Sequence, residues 1–276
     1  MTVHFWGVRG SIPSPGPATV RYGGNTPCVT ITFDAGHILV LDAGTGIRRL
    51  GQWLDTTDHE IYIAITHRHW DHIEGFPFFG PIYQPERSIH LLPVPHVNDD
   101  WSLLRLMDGI HSAVDRDVLR ARISHEEEGL WQKLEASGIT VRMIANNHPG
   151  GATGFRIEYG GRSVIYMTDN EIDPPNEPTT SRETLVDFCR DADLLIHDAT
   201  YLDEEMTERR GWGHSTIGEA CDLARDAGAR RLVLFHHDPD RTDDALDEIA
   251  EQVDQRLAGE GLMTAIVARE GLSLQL

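Results

Sequence analysis

The sequence is poor in lysine and contains no long apolar run. Lys133 is the only lysine, so arginine supplies nearly all of the positive charge, and the formal net charge is −20. Because neutralising nucleic-acid phosphates requires clustered cations, this balance argues against a general nucleic-acid surface. No stretch approaches the ~20 apolar residues that span a bilayer. No membrane partner is therefore expected.

Cysteine is also scarce. Cys28, Cys189 and Cys221 are widely spaced and include no CxxC pair. Separated thiols in odd number predict neither a disulfide framework nor a thiolate metal site, so we expect small core residues. The N-terminal segment lacks a charged-then-apolar leader, and a cytoplasmic location is the expectation. The absence of repeats and low-complexity linkers favours a single domain over residues 1–276.

Histidine is concentrated in one place. Residues 66–72 follow a β-branched run that predicts a strand, and they contain His67, His69, Asp71 and His72. Side chains two apart on an extended turn share a face, so the first two histidines point together and the other pair turns away. A lone histidine is more often a surface or core residue, but burying four such groups at one turn is costly without a partner. A metal ion is the partner that imidazole and carboxylate share.

Further candidate ligands stand just past the ends of other predicted strands. In chain order they are His148, Asp169, His197 or Asp198, and His236. Repeated delivery of such residues at strand ends is how a sheet scaffold gathers a site from distant segments. Asp42 also ends a predicted strand, where it either orients the histidine turn or stabilises its own turn.

The loop over residues 8–27 is rich in glycine, proline and serine. It is longer than most connections in compact domains, which favours a functional role. Arg9, Ser11 and Asn25 in this loop are candidate donors to an anion. An ordinary edge loop is the alternative.

Residues 80–138 are a candidate insertion. Trp101, Leu104 and Met107 recur at helical spacing and predict a helix over residues 99–114. Apolar residues at this spacing usually pack in the hydrophobic core. The alternative is that the insertion covers the metal site as a cap.

Together these residues resemble the metallo-β-lactamase superfamily of metallohydrolases. Residues 66–72 match its HxHxDH motif, and His148, Asp169 and His236 match the remaining ligand positions in order. The resemblance covers essentially the whole chain. It implies an α/β fold, a four-layer αββα sandwich of two mixed β-sheets flanked by helices, with a dinuclear metal site at one edge.

Within the superfamily the chain is most similar to the phosphodiesterase branch. That branch includes tRNase Z, phosphoribosyl cyclic phosphate phosphodiesterase and bacterial cyclic-nucleotide phosphodiesterases. The similarity is carried by residues 7–13, 22–26, 197–200 and 213–216. It implies that Asp198, where tRNase Z has glutamate, orients His214, and that His214 donates a proton to the leaving oxygen.

The resemblance also implies two divalent metal ions and their ligands. One ion is assigned to His67, His69 and His148, the other to Asp71, His72 and His236, with Asp169 as the bridge. Asp71 is counted among the catalytic residues as well, and Arg9, Ser11 and Asn25 are the candidates for gripping the phosphate. Because all donors are nitrogen or oxygen, Zn²⁺ is favoured, with Mn²⁺ and Fe left open.

The expected reaction is hydrolysis of a small phosphodiester, most simply a cyclic nucleotide or a related cyclic phosphate. tRNase Z inserts a tRNA-binding arm between the ligand histidine and the bridging aspartate, whereas a predicted hairpin fills the short interval from His148 to Asp169. With the acidic composition, this predicts that tRNA is not a substrate. Alternatives are a lactonase or thioesterase, a single-strand nuclease, and a non-catalytic nucleotide-binding sensor. A homodimer is left open.

Overall fold

The structure is a computed structural model that describes residues 1–55, 57–95, 102–125, 129–257 and 264–276. The strands in this part of the chain are β1 Thr2–Gly7, β2 Cys28–Thr32, β3 His37–Leu41, β4 Glu60–Ala64, β5 Ser88–Leu91, β6 Arg122–Ser124, β7 Thr140–Asn146, β8 Ala152–Tyr159, β9 Arg162–Met167, β10 Leu194–Asp198, β11 Arg231–Phe235, β12 Thr264–Val267 and β13 Ser273–Gln275. The α-helices are α1 Ile47–Leu54, α2 Leu130–Ala136, α3 Arg182–Cys189, α4 Met206–Arg209, α5 Ile217–Asp226 and α6 Asp243–Leu257.

The described strands form two mixed sheets. One has the order β13-β1-β2-β3-β4-β5-β6 and the other the order β12-β11-β10-β9-β8-β7. In each sheet, antiparallel hairpins make one part, while β3 to β6 and β9 to β12 run parallel. Parallel neighbours end at the same edge of their sheet. The residues that follow β4, β9, β10 and β11 are therefore delivered to one end of the molecule.

Alternating side chains build three apolar layers. In β3, Leu39 lies in the layer between the sheets and Ile38 in the layer against α1. In β9, Tyr166 faces the layer between the sheets and Ile165 faces α3, α5 and α6. This follows from the two-residue period of a strand, since both faces of these strands are buried. The predicted αββα sandwich is confirmed.

Most of the segment considered as a cap belongs to the sandwich. β5 and β6 extend the first sheet at its edge, and α2 places Leu130 and Leu134 in the layer between the sheets. The His111 ring lies 5.8 Å from that of Trp70. The segment therefore reaches the histidine turn at one edge.

The helix predicted over residues 99–114 is wrong for the residues that the structure describes there, which begin at 102. A short 3₁₀ helix, Leu103–Leu106, is followed by irregular chain. The Asp108 carboxylate accepts hydrogen bonds from the backbone N–H groups of Ile110 (2.8 Å) and His111 (2.7 Å). Such local bonds compete with helical ones, and Gly109 adopts a φ of 72°. Trp101 lies outside the described residues.

The three cysteines lie in two of these apolar layers. Cys28 lies in the core beneath α1, and Cys189 and Cys221 lie in the layer under the second sheet's helices, as predicted for small core residues. No helix among the described residues has the length and apolar character needed to cross a bilayer.

Candidate metal centre

The candidate ligands lie together at the end of the sandwich where the parallel strands finish. The histidine turn follows β4, and the other residues follow β7, β9 and β11. Two groups of ligand atoms each lie within 4.8 Å of one another, one from His67, His69, His148 and Asp169, the other from Asp71, His72 and His236. Four separate segments are therefore brought to one place.

The first group surrounds a small space faced by three imidazoles. His148 Nε2 lies 3.1 Å from His69 Nδ1. The Oδ1 atom of Asp169 is 3.7 Å from His67 Nε2 and 3.8 Å from His148 Nε2. At these distances the Asp169 carboxylate oxygen makes no hydrogen bond with either imidazole nitrogen.

The second group is tighter and contains more carboxylate. His72 Nε2 lies 3.1 Å from Asp71 Oδ2 and 3.2 Å from Asp169 Oδ2. His236 Nε2 is 3.2 Å and 3.4 Å from the same two oxygens. Asp169 thus presents Oδ1 to the first group and Oδ2 to the second, which is the arrangement of a bridging carboxylate.

The cluster fits divalent metal ions. Among the described residues, His67 Nε2 is buried without a hydrogen-bond partner, and His72 Nε2 is buried close to two carboxylate oxygens without forming a hydrogen bond to either. A buried polar atom without a partner is costly and rare. Because all donors are imidazole nitrogens and carboxylate oxygens, divalent cations that accept mixed N and O ligands suit the site.

The protonation of the histidines agrees with this fit. Burial lowers the pKa of His67 far below its usual value and that of His148 to about 4. Both are therefore neutral imidazoles, the form that binds a metal. For His72, burial is outweighed by carboxylates, Asp71 first, which raise its pKa well above the ordinary value. A cation would take the place of that proton, since metal binding releases protons from its ligands.

The aspartates are held as anions. Burial alone would raise the pKa of Asp169, but His236 and His72 hold it well below its usual value. Asp71 is held low in the same way by His72 and His236. The backbone N–H of Ser11 also donates to Asp71 Oδ2 at 2.9 Å. Both carboxylates are thus charged and oriented.

A second set of residues orients the rings through their other nitrogen. His72 Nδ1 lies 2.8 Å from Asp42 Oδ2, and His148 Nδ1 lies 2.9 Å from the Gly213 carbonyl oxygen. Thr66 and Thr200 play this part for the remaining buried rings, with Thr66 Oγ1 3.0 Å from His67 Nδ1 and Thr200 Oγ1 3.2 Å from His236 Nδ1. Such outer partners fix ring orientation and raise ligand basicity. Apart from Asp42, they were not identified from the sequence, because threonine hydroxyls and carbonyls carry no motif.

Asp42 orients the histidine turn, which is one of its two predicted roles. Besides His72, it accepts hydrogen bonds from the Thr66 backbone N–H at 2.7 Å and from the Tyr166 hydroxyl at 2.9 Å. The carboxylate therefore ties β3, the histidine turn and β9 together behind the ligands.

Replacing Asp42 by asparagine is expected to weaken metal affinity about 10–100-fold, because the amide keeps the shape but removes the charge behind His72. Competition with a chelator of known affinity would measure the change. Asp193→Asn is the matched control, since Asp193 is a buried carboxylate that bonds Ser163 and Arg162 and is not part of the cluster. Equal metal affinity in Asp42→Asn and the wild-type protein would contradict this role.

Unusual backbone conformations concentrate at the site. Among the described residues outside glycine, those with positive φ are Ser11, Asp42, Asp169, Asp191 and His236, and all but Asp191 contact the cluster. Each such conformation costs on the order of 1–3 kcal/mol and persists only where surrounding structure enforces it. The strained backbone therefore orients two candidate ligands, Asp169 and His236, and the two residues that hydrogen-bond to other ligands, Ser11 and Asp42.

His214 and Asp198 form a buried pair beside the ligands. His214 Nδ1 lies 2.7 Å from Asp198 Oδ2, so the shorter aspartate does reach the ring. The His214 ring stacks on that of His236 at 5.0 Å and lies 5.3 Å from that of His148. Burial would lower the pKa of His214, but Asp198 raises it to about 9. The ligand atoms of the pair also lie within 4.8 Å of those of Asp169 and His236.

The three candidate phosphate contacts have different placements. Ser11 lies at the rim, with its N–H on Asp71 and its side chain exposed. The Asn25 amide donates to both Glu270 carboxylate oxygens, at 3.1 and 3.0 Å. The Arg9 side chain is fully buried and donates to the carbonyl oxygens of Gly23, Asp238 and Arg241. The prediction that Arg9 grips the phosphate is therefore corrected, because its guanidinium is already committed to the backbone.

Replacing Arg9 by alanine is expected to lower the free energy of unfolding by roughly 2–4 kcal/mol, because three carbonyl groups lose a charged donor. Urea unfolding would measure it. Arg21→Ala is the control, since Arg21 is half exposed in its ion pair with Asp244 and exposed pairs contribute little. An unchanged unfolding midpoint with a raised KM would contradict the structural role.

Comparison with known proteins decides the family. Residues 37–237 match the family described as the Beta-lactamase superfamily domain, a span that contains every candidate metal ligand. The chain belongs to the metallo-β-lactamase superfamily. A ribonuclease Z of Pyrococcus horikoshii is 35% identical, with 86% of each chain covered. A ribonuclease Z of Haloferax volcanii is 27% identical, covering 100% of this chain and 95% of its own.

Solved structures of this superfamily share the fold. Human tRNase Z, short form, has a TM-score of 0.61 at 22% identity, covering 100% of this chain and 99% of its own. Zn²⁺-bound PqqB from Methylobacterium extorquens has a TM-score of 0.66 at 18% identity, covering 100% of both chains. Because relatives of this chain are named ribonuclease Z and its His/Asp cluster fits metal ions, the protein is a metal-dependent phosphodiester hydrolase of the metallo-β-lactamase fold.

The expectation that tRNA is not a substrate is wrong by the same comparison. Proteins named ribonuclease Z align with nearly the whole chain, and a neighbour of this fold is a tRNase Z. The expectation rested on net charge and on the short interval from His148 to Asp169. Net charge and the length of one interval do not determine whether other parts of the chain can contact RNA, so neither feature excludes tRNA.

Proposed function

We propose that this protein cleaves its phosphodiester by in-line attack at a dinuclear site, with His214 as the general acid. The observation that carries the proposal is the His214–Asp198 pair, 2.7 Å between Nδ1 and Oδ2, placed against the rings of two candidate ligands. A thioester leaves as a thiolate, which needs little protonation, so a buried acid next to the ligands fits an alkoxide leaving group better. A lactone also releases an alkoxide, and the relatives named ribonuclease Z favour a diester over it.

The proposed ligands are those that the geometry groups together. His67, His69 and His148 would hold one ion, Asp71, His72 and His236 the other, and Asp169 both, with Zn²⁺ the first candidate because of the mixed N and O donors. Divalent cations bound there would acidify water and withdraw charge from the phosphate oxygens.

The chain's own residues supply the remaining steps. Asp198 holds the His214 ring through Nδ1, which leaves Nε2 as the nitrogen available to protonate the leaving oxygen. Asp198 is itself fixed, since it accepts the backbone N–H groups of Asp169 at 3.0 Å and Ser215 at 3.2 Å. The Ser11 N–H keeps Asp71 in place at the rim.

A small cyclic phosphodiester is one candidate substrate, because divalent cations bound at the cluster would hold its single anionic group without a further cationic surface. The 3′ end of a precursor tRNA is the second candidate, favoured by the relatives named ribonuclease Z.

A parallel substrate assay tests the proposal. The metal-loaded protein is expected to hydrolyse bis-p-nitrophenyl phosphate and either a cyclic mononucleotide or a precursor tRNA, and to leave acyl-lactones and thioesters intact. Asp169→Asn, assayed alongside, separates this activity from contaminating nucleases. Turnover of a lactone or thioester with no diester cleavage would overturn the proposal.

A further inference from the structure

A solvent-exposed tryptophan stands in the loop that precedes the proposed general acid. Trp212 is 54% exposed and stands two positions before His214. Its neighbours Gly211 and Gly213 have φ values of 90° and 86°, a region that residues with a Cβ rarely adopt. The Glu171 carboxylate, 1% exposed, accepts the backbone N–H of each at 2.9 Å.

This loop is also fastened to the metal centre. The Gly213 carbonyl accepts the 2.9 Å hydrogen bond of His148 Nδ1, and a Cβ on Gly213 would lie 2.3 Å from that nitrogen. Charge-assisted bonds to a buried carboxylate fix such a loop strongly. These contacts fix the backbone on both sides of Trp212, and its exposed indole offers a flat apolar face to a planar ligand.

A positive charge accompanies the indole. The Arg209 guanidinium carbon lies 4.7 Å from the centroid of the Trp212 ring and 5.6 Å from that of Tyr201. The Tyr201 ring in turn lies 5.8 Å from the His214 ring, edge to face. Arg209 forms no ion pair with any residue that the structure describes, although the chain carries a net charge of −20. Its charge is therefore available to an anion that arrives at the His214 side.

We propose that Trp212 and Arg209 form a subsite for the nucleoside that carries the leaving oxygen. The base stacks on the open face of Trp212, and Arg209 attracts the diester anion. The inference rests on the proposed function, because it takes the His214 side as the leaving-group side. Stacking is sequence-tolerant, since every base has a π face. An aliphatic alcohol offers no such face, and a cationic head group is repelled by Arg209.

Matched diesters test this subsite. One is a diribonucleotide, and the other carries an abasic ribose in place of the nucleoside that departs with the leaving oxygen. The wild-type kcat/KM is expected to be about tenfold or more higher for the first. Trp212→Ala should remove this ratio and Trp212→Phe should keep most of it. Trp53→Ala is the control, since Trp53 is 39% exposed and packs on Trp6. A ratio that survives in Trp212→Ala, or is absent from the wild-type protein, would overturn the subsite.

A binding measurement separates this inference from the proposed function. If the wild-type protein cleaves neither of these diesters, the subsite is judged by fluorescence, and the proposed function fails only if bis-p-nitrophenyl phosphate is also left intact. Titration with the diribonucleotide should quench indole emission in the wild-type protein, and Trp212→Phe should lose that quenching. No quenching in the wild-type protein, or equal quenching in Trp212→Phe, would overturn the subsite.

Discussion

Replacing Asp169 by asparagine is expected to reduce kcat for bis-p-nitrophenyl phosphate by on the order of 10²–10³-fold or more, the scale for loss of a principal electrostatic group. Its Oδ1 and Oδ2 face different ligand groups, at 3.7–3.8 Å and 3.2–3.4 Å from the nearest imidazole nitrogens. An amide offers one oxygen and no charge, so it cannot serve both groups. Steady-state kinetics with metal analysis of the same samples would measure the loss.

The control for this substitution makes the same chemical change away from the cluster. Asp193→Asn removes a buried carboxylate that bonds Ser163 and Arg162, and its kcat should stay near the wild-type value. Wild-type turnover and metal content in Asp169→Asn would show that the carboxylate does not bridge.

Replacing His214 by alanine is expected to lower kcat by about 10²–10⁴-fold for a diester with an alkoxide leaving group, because such a group departs only when protonated. For bis-p-nitrophenyl phosphate the loss should be smaller than about tenfold, because p-nitrophenolate leaves without a proton. The difference between the two substrates is the test. A merely structural role would reduce both rates alike.

A surface histidine provides the matched control. His111 is half exposed and pairs with Asp108, so His111→Ala should leave both rates unchanged. Equal losses on the two substrates in His214→Ala, with metal content preserved, would remove His214 as the proton donor and leave it a packing role.

The sequence predicts the fold well where local signals agree. The alternating runs and the turn at Asp34 to Gly36 predict a hairpin over residues 28–33 and 37–41, and the structure has β2 and β3 there in antiparallel pairing. Residues 47–54, which follow a glycine-rich turn, likewise predict a helix, and the structure has α1 there. Strand ends also predict where the ligands meet, because parallel strands deliver their carboxyl ends to one edge.

Other parts are decided by contacts that no local pattern contains. The helical spacing over residues 99–114 is overridden by the Asp108 turn, and the polar neighbours that suggest Arg9 as a phosphate contact do not show that its side chain turns inward to carbonyl groups. The supports of the ligand rings, such as Thr200 and the Gly213 carbonyl, depend on tertiary packing alone. Substrate choice is not determined by a local pattern either, since net charge and the length of one interval predict wrongly that tRNA is not a substrate.

The metal content of the purified protein tests the central claim most directly. Elemental analysis of protein loaded with Zn²⁺ and freed of excess should find two equivalents per chain, falling in Asp169→Asn. The same counts in Asp193→Asn and the wild-type protein would tie the loss to the bridge. Fully active protein with less than one equivalent of any transition metal would contradict the dinuclear site.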